Sequence, residues 1–286
     1  MARLAGKLLS DSTGGMMLRV LVVLLVVLAS PLAAAAQRVV SLGGSVTEIV
    51  YALGEGDRIV ADDASSLYPP QATRVPRVGY YRNLSLEGIL SRQPDLLIAS
   101  ENAGPPAVLQ RLQAMGVPLV AVPDRPGIDS LFERVREIAA ALGVPAEGDA
   151  LAARIRASLQ DVAAVPAQPR RALIVLHRGG PLMSAGAGTS AHALLELSGL
   201  QNVAADSRGY KPLSAEAMVA LAPDMIITTT TSADSAGGLV AFTTQAGVAS
   251  TPAAKAGRVV EIDDLLLLGM GPRVAEAVRL LRAASR

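Results

Sequence analysis

Tyr80, Tyr81 and Arg82, two adjacent tyrosines followed by an arginine, carry the most distinctive chemistry of this chain. The chain has only five tyrosines and two phenylalanines, with no tryptophan and no cysteine, so a tyrosine pair is a rare feature here. A deprotonated phenol can bind ferric iron, and it is an axial ligand in some haem proteins. A nearby guanidinium favours the phenolate over the phenol. The alternative is a loop whose aromatic rings cover one side of the fold.

The elements around these residues alternate between short aliphatic runs and helical patterns, which favours an α/β fold with parallel strands. We expect strands at residues 39–42, 59–61, 96–99, 119–122, 172–176, 225–228 and 259–262. We expect helices at residues 46–53, 86–92, 107–115, 128–142, 190–198, 214–221 and 271–282. Tyr80 and Arg82 then lie just ahead of a helix that starts near Leu86.

A nearly continuous helical pattern separates the two halves of the chain. A helix beginning at Pro145 carries apolar residues at spacings of three and four, which is typical of an amphipathic helix. We therefore predict two lobes with mainly parallel sheets, at residues 37–143 and 167–286, joined by one long connecting helix at residues 144–166.

An internal repeat with an offset of 129 residues supports two equivalent lobes. Residues 84–87 (Leu-Ser-Leu-Glu) correspond to residues 213–216 (Leu-Ser-Ala-Glu), and residues 93–98 correspond to 222–227. Each copy predicts a serine-capped helix, then Pro-Asp, then a buried strand. An acid near a helix start is common because the helix dipole favours it, but that does not explain the shared register of the following strands.

The first 36 residues have the features of a signal peptide. Three basic residues precede an apolar run that is shorter than the roughly 20 residues needed to span a bilayer, and small residues end the segment. The alternative is an N-terminal membrane anchor. With no cysteine for a disulfide or a lipid anchor, we expect a protein of the periplasm that does not span the membrane once the signal is removed.

Charge and motif content exclude several function classes. Three of the 26 basic and one of the 25 acidic residues lie in the leader, which leaves a net charge of −1 and argues against nucleic acid as a partner. The two histidines belong to no serine triad, nucleophile elbow or zinc-ligand pattern. The glycine-rich residues 185–190 lack the lysine of a phosphate-binding loop. We therefore expect a binding protein and not an enzyme.

Residues 38–48, 78–94, 209–216 and 267–273 make the chain similar to the periplasmic haem-binding proteins of bacterial ABC haem importers. These belong to the helical-backbone class of substrate-binding proteins, and Gly-Tyr-x-Arg at residues 79–82 is the part typical of the haem branch. The resemblance implies two lobes joined by a long helix, with the ligand in the cleft. It also implies that Tyr80 is the axial ligand of the haem iron and that Arg82 supports its phenolate. Tyr81, which the internal repeat aligns with Tyr210, is the second choice.

The resemblance further implies how the protein docks. In the wider class one glutamate on each lobe contacts arginines of the membrane permease, which here implies Glu87 and Glu216. Their equal positions suit a two-fold symmetric partner, an ABC permease dimer. The implied function is capture of haem and its delivery to an inner-membrane importer. The alternative is the same transport role for vitamin B12 or a ferric siderophore.

Further ligand contacts are less defined by the resemblance. Some family members use a histidine of the second lobe as an additional haem ligand, which fits His177, although a polar residue at a strand end is the simpler interpretation. Arg178, Lys211 and Arg273 are candidates to bind the two haem propionates, because arginine binds carboxylates in a fork. His192 is expected to pack within its helix or lie at the surface.

Overall fold

The computed structural model describes residues 38–165 and 167–286, and the expected signal peptide lies outside this range. The strands of the N-terminal lobe are β1 (Val39–Leu42), β2 (Ile59–Asp62), β3 (Gly79–Tyr80), β4 (Asn83–Leu84), β5 (Leu96–Ser100) and β6 (Leu119–Val122). Its helices are α1 (Gly44–Ala52), α2 (Leu86–Leu90), α3 (Pro106–Ala114) and α4 (Ile128–Leu142), with 3₁₀ turns at Gly56–Arg58 and Ala72–Arg74.

The N-terminal sheet is parallel and has the strand order β2-β1-β5-β6. Val39 on β1 lies opposite Ile59 on β2 and Leu96 on β5. Every residue of β1 and β5 is buried, as expected for central parallel strands that are covered on both faces. Because the strands run parallel, their carboxyl ends meet at one edge of the sheet.

The C-terminal half repeats this plan with an antiparallel extension. Helix α5 (Pro145–Ala163) precedes strands β7 (Arg171–Leu176), β8 (Met183–Ala185), β9 (Gln201–Asn202), β10 (Tyr210–Pro212), β11 (Met225–Thr229) and β12 (Val259–Ile262). The remaining helices are α6 (Ser190–Ser198), α7 (Ala215–Leu221), α8 (Thr230–Ser235), α9 (Leu239–Thr244), α10 (Pro252–Lys255), α11 (Asp264–Leu268) and α12 (Val274–Ala284). Strands β7, β11 and β12 are parallel, whereas β8 and β10 extend the sheet in antiparallel fashion.

A continuous hydrophobic core joins the two lobes through the helices between them. One cluster of buried side chains includes Ile49 of α1, Leu131 of α4, Leu151 of α5 and Leu195 of α6. Helix α12 packs against α5 and α6. The predicted connecting helix corresponds to α5, and the lobe boundaries assigned from the sequence stay predictions.

The internal repeat extends to the detail of the backbone. Ser85 and Ser214 each accept a hydrogen bond from a main-chain N–H three residues further on, which caps α2 and α7 as predicted. Both helices lead to a non-glycine residue in the left-handed region, Gln93 with φ 48° and Ala222 with φ 43°. A left-handed residue ends a helix before the chain turns into the next strand. The two copies therefore share their turns as well as their helices and strands.

The strands of the parallel sheets and the longer helices agree with the sequence predictions, whereas several short elements between them were not predicted. The bounds of β1, β6, β12 and α6 coincide with prediction, and α12 begins at Val274 instead of residue 271. The β3–β4 hairpin, strands β8 to β10 and helices α8 to α11 were not predicted. Across residues 38–165 and 167–286, no helix combines the length and the apolar character that crossing a membrane requires.

Candidate ligand-binding cleft

A cavity of about 590 Å³ opens between the two lobes. Its wall consists mostly of segments that follow the carboxyl ends of the parallel strands, where open α/β sheets bind ligands. The N-terminal lobe contributes Gly43, Gly44, Ser45, Ala64, Ser65, Leu67, Tyr80, Tyr81 and Asp124. The C-terminal lobe contributes Arg178, Thr231, Asp264, Leu265, Leu268 and Gly269. The topology thus brings both halves of the chain to one site.

The two tyrosines of the β3–β4 hairpin differ in exposure. Tyr80 is 46% exposed at the cavity wall, whereas Tyr81 is only 9% exposed. Their rings meet edge to face with centroids 4.9 Å apart. Burial raises the pKa of the Tyr81 phenol above its usual range, and the opposing effect of Arg82 is smaller. Tyr81 is therefore a neutral packing residue, and Tyr80 is the phenol that the hairpin offers to the cavity.

Arg82 lies against the buried tyrosine of the pair. Its guanidinium carbon is 5.1 Å from the centre of the Tyr81 ring, a cation–π distance. Burial raises the pKa of the Tyr210 phenol, and the charges of Arg82 and Arg178 lower it. Tyr210 is 42% exposed at the start of β10, and the charges that act on its phenol come from both lobes. Tyr80 and Arg178 line the cavity itself, one from each lobe.

Arg178 lines the cavity and is held by an acid of the same lobe. Its guanidinium binds Asp264 at 2.5 Å, and the other oxygen of Asp264 accepts the main-chain N–H of Thr231 at 2.9 Å. Burial raises the pKa of Asp264, but the hydrogen bonds from Thr231 and Arg178 outweigh it and hold the pKa below its usual value. The Arg178 side chain is still 47% exposed, so it can also bind a ligand anion.

The two histidines occupy different settings. His177 directly follows β7, and its main-chain N–H donates to Ser232 at 3.0 Å. Its buried Nδ1 has no hydrogen-bond partner among the residues the structure describes. The described wall of the cavity includes Arg178 but not His177. His192 contacts Glu196 of its own helix at 3.4 Å and the amide of Asn202 on β9 at 3.1 Å. It therefore packs between α6 and β9.

Arg273 is engaged elsewhere than the cavity wall. Its guanidinium binds the buried carboxylate of Glu48 at 3.0 Å and stacks 3.5 Å from the ring centre of Tyr68. Burial raises the pKa of Glu48, and Arg273 opposes that rise. This pair joins α1 of one lobe to the start of α12 in the other, which leaves little of the guanidinium for a propionate. Lys211, the other candidate, lies exposed on β10 outside the described cavity wall.

The proposed docking residues stand at matching positions outside the cleft. Glu87 and Glu216 are the second residues of α2 and α7, and both are exposed. The Glu216 carboxylate accepts hydrogen bonds from its own main-chain N–H and from Ser214, and these lower its pKa. The Glu87 carboxylate accepts a hydrogen bond from Ser85 at 3.3 Å. Each lobe therefore presents one acid in the same local geometry.

Comparison with known proteins identifies the family. The profile described as periplasmic binding protein matches residues 39–266, which is most of the chain. The chain belongs to the periplasmic binding protein family. Its fold matches that of the periplasmic haem-binding protein RhuT from Roseiflexus sp. RS-1, with a TM-score of 0.83, 39% identity and coverage of 87% of this chain and 97% of that one.

Two further relatives of this periplasmic binding protein are named as binding different ligands. A periplasmic haem-binding protein from Pseudomonas aeruginosa is 35% identical with a TM-score of 0.79, covering 87% of this chain and 92% of that one. The vitamin B12-binding protein of Yersinia pseudotuberculosis is 33% identical over 213 residues, 73% of this chain and 75% of that protein. The likeness thus includes binders of both ligands.

Several residues in or next to the cleft of this periplasmic binding protein were not identified as site residues from the sequence. Asp63, Asp124 and Asp264 each follow the carboxyl end of a parallel strand by one or two residues. That position was a usable signal, because such residues share one edge of the sheet. Tyr210 was noted only as the repeat partner of Tyr81, and no local pattern related it to the charge of Arg82.

Proposed function

We propose that this periplasmic binding protein captures ferric haem in the periplasm and delivers it to an ABC permease of the inner membrane. The observation that carries the proposal is the half-exposed Tyr80 phenol at the wall of a cavity of about 590 Å³ between the lobes. That volume lies within the range of small-molecule sites, about 300–1,000 Å³. Tyrosinate is a known axial ligand of haem iron.

The cleft offers a partner for each part of a haem molecule. Tyr80 meets the iron with Arg82 of the same hairpin supporting its phenolate, and Arg178 of the cavity wall supplies positive charge for the propionates. Leu67, Leu265 and Leu268 of the cavity wall present aliphatic surface to the porphyrin faces. Because only 2% of the residues are aromatic, the ring is held by aliphatic packing instead of stacking. His177 is a second iron ligand only if the loop after β7 turns its imidazole toward the cavity.

Delivery requires a surface that the permease recognises. Glu87 and Glu216 are exposed at equal positions on the two lobes and can face a two-fold symmetric basic surface. We expect the Glu87→Lys/Glu216→Lys variant to bind haemin normally and to lose association with the reconstituted permease. Glu276→Lys is the matched control, because Glu276 is an exposed acid in the first turn of α12. Equal association of both variants would contradict the docking role.

Vitamin B12 is the second candidate ligand, favoured by the 33% identity to the Yersinia protein. Cobalamin and ferric siderophores bring their metal already coordinated, so they need no phenol from the protein. The exposed Tyr80 phenol, on the wall of a cavity that Arg178 also lines, favours haem over both. In this proposal the protein carries its ligand without chemical turnover, as its transport relatives imply.

Parallel titrations of the mature protein with haemin and with cyanocobalamin test the ligand. We expect haemin to give a saturable shift of the Soret band, and calorimetry to show no binding of cyanocobalamin. Saturable cobalamin binding with an unchanged Soret band would identify vitamin B12, and not haem, as the ligand. Failure of both ligands would leave the transport role and remove the haem proposal.

A further inference from the structure

Asp63 is a fully buried carboxylate that connects three segments of the cavity wall. One oxygen accepts the main-chain N–H of Gly43 at 2.8 Å, in the turn after β1. The other accepts the main-chain N–H of Ser65 at 3.0 Å and that of Tyr81 at 3.1 Å, in the β3–β4 hairpin. Gly43, Ser65 and Tyr81 all line the cavity. A single side chain thus sets the relative positions of three cavity segments.

The segment of Asp63 also holds the main chain on both sides of Tyr80. The N–H of Ala64 donates to the carbonyl of Gly79 at 2.7 Å, just before Tyr80. The carboxylate of Asp63 accepts the N–H of Tyr81, just after Tyr80. The hairpin that carries Tyr80 has strands of only two residues. The loop that follows β2 therefore helps to fix the position of the Tyr80 phenol.

An asparagine at position 63 has the shape of the aspartate but cannot make the same bonds. Each carboxylate oxygen accepts at least one main-chain N–H, one from Gly43 and the other from Ser65 and Tyr81. An amide presents one oxygen and one NH₂ group. In either orientation the NH₂ group would face a main-chain N–H donor, and a buried donor would lose its acceptor. The three segments then separate or shift.

The neighbouring acid, Asp62, is buried like Asp63 but does not hold the cavity segments together. Asp62 is also fully buried, yet neither of its carboxylate oxygens has a hydrogen-bond partner among the described residues. It ends β2, one residue before Asp63. Asp62→Asn is therefore a matched control that changes a buried acid without changing a contact of the cavity wall.

We infer that Asp63 is the positioning residue of the iron site, holding the Tyr80 hairpin and the turn at Gly43 in the geometry that binds haem. The inference rests on the proposed function, since it names the group that sets the ligand geometry. Replacing a residue that orients a metal ligand through hydrogen bonds typically weakens metal affinity about 10- to 100-fold. We expect a loss of haemin affinity of roughly that size when Asp63 is replaced.

The test compares Asp63→Asn and Asp62→Asn with the wild-type chain by haemin titration and by the phenolate-to-iron charge-transfer band. We expect Asp63→Asn to weaken haemin binding roughly 10- to 100-fold and to shift or remove the band. We expect Asp62→Asn to leave both unchanged at pH 7. Circular dichroism of each apoprotein establishes that it is folded. Weaker binding with an unchanged band would indicate a purely structural role and would overturn the inference.

Asp63→Glu carries the test if the asparagine variant does not fold. It keeps the charge and the acceptors but displaces the oxygens by one carbon–carbon bond, so we expect a shifted band and an affinity between those of the wild type and Asp63→Asn. Wild-type affinity and an unshifted band in Asp63→Glu would overturn the positioning role while leaving haem as the ligand. If the wild-type chain does not bind haemin, the proposed function fails and this inference fails with it.

Discussion

Replacing Asp62 by asparagine is expected to remove a pH-dependent loss of stability. Burial raises the pKa of this carboxyl from its ordinary 3.8 to about 7, with Arg77 opposing the rise and Asp63 adding to it. Both oxygens lack a hydrogen-bond partner among the described residues, which fits a group that is neutral in the fold. The raised pKa means that the folded state favours the protonated form.

The sign and size of the effect follow from proton linkage. Below about pH 4 the carboxyl is protonated in both states and costs nothing. As the pH rises toward 7, the unfolded chain ionises first and the fold loses stability, and above about pH 7 the loss is complete. A pKa difference of about 3, at 1.36 kcal/mol per pKa unit, corresponds to roughly 4 kcal/mol. This is a ceiling, because water that reaches the carboxylate on ionisation reduces it.

Urea unfolding of the wild-type chain and Asp62→Asn across pH 4 to 8 measures this term. Titrating groups that do not interact with Asp62 cancel in the difference between the two unfolding free energies, which leaves the Asp62 carboxyl and its coupling to Asp63 and Arg77. We expect that difference to move in favour of the variant by about 2–4 kcal/mol between pH 4 and pH 8, with most of the change between pH 5 and 7. Parallel curves for the two proteins would refute the reasoning and would place Asp62 in contact with water or a donor.

Three further substitutions test an ion pair, a close backbone contact and a ligand contact in and around the cleft. Arg273→Ala is expected to cost about 3–5 kcal/mol of unfolding free energy, because it leaves Glu48 buried without its partner, and a double-mutant cycle with Glu48→Gln should show strong coupling. Gly44→Ala should destabilise by roughly 1–3 kcal/mol, since a methyl there would lie 2.3 Å from a main-chain oxygen, whereas Gly180→Ala has open space and should be neutral in thermal unfolding. Arg178→Ala should weaken haemin binding by roughly 10- to 100-fold in a Soret titration, and an unchanged affinity would exclude it from propionate binding.

The sheets and the repeat were accessible from the sequence because their signals are local. Residues 96–99 are an unbroken aliphatic run and residues 39–42 are aliphatic except for Ser41. The repeat at Ser85 and Ser214 keeps helix, turn and strand in one register. Aliphatic runs of this kind are typical of parallel strands that are buried on both faces. The order of the predicted strands and helices and the two-lobed plan therefore followed from hydrophobic periodicity and the internal repeat.

The cleft contacts were not accessible in the same way, because they join distant parts of the chain. The bonds of Asp63 reach residues 20 positions back and 18 positions ahead, and no periodic pattern marks them. Arg273 was expected to meet a ligand, yet it binds Glu48 from 225 residues away. The two-residue strands of the β3–β4 hairpin are too short to show a period of two. The tyrosine pair stood out by its chemistry, and the choice of Tyr80 within it came from the family resemblance and not from its place in the fold.

Resonance Raman and visible spectra of the haemin complex test whether Tyr80 binds the iron. We expect the wild-type complex and Tyr81→Phe to show the phenolate-to-iron charge-transfer band and the iron–oxygen stretch, and Tyr80→Phe to lose both. Tyr81→Phe is the matched control because it removes the neighbouring hydroxyl and leaves the exposed one in place. Phenolate signals that persist in Tyr80→Phe, or that vanish only in Tyr81→Phe, would contradict the assignment of the iron to Tyr80.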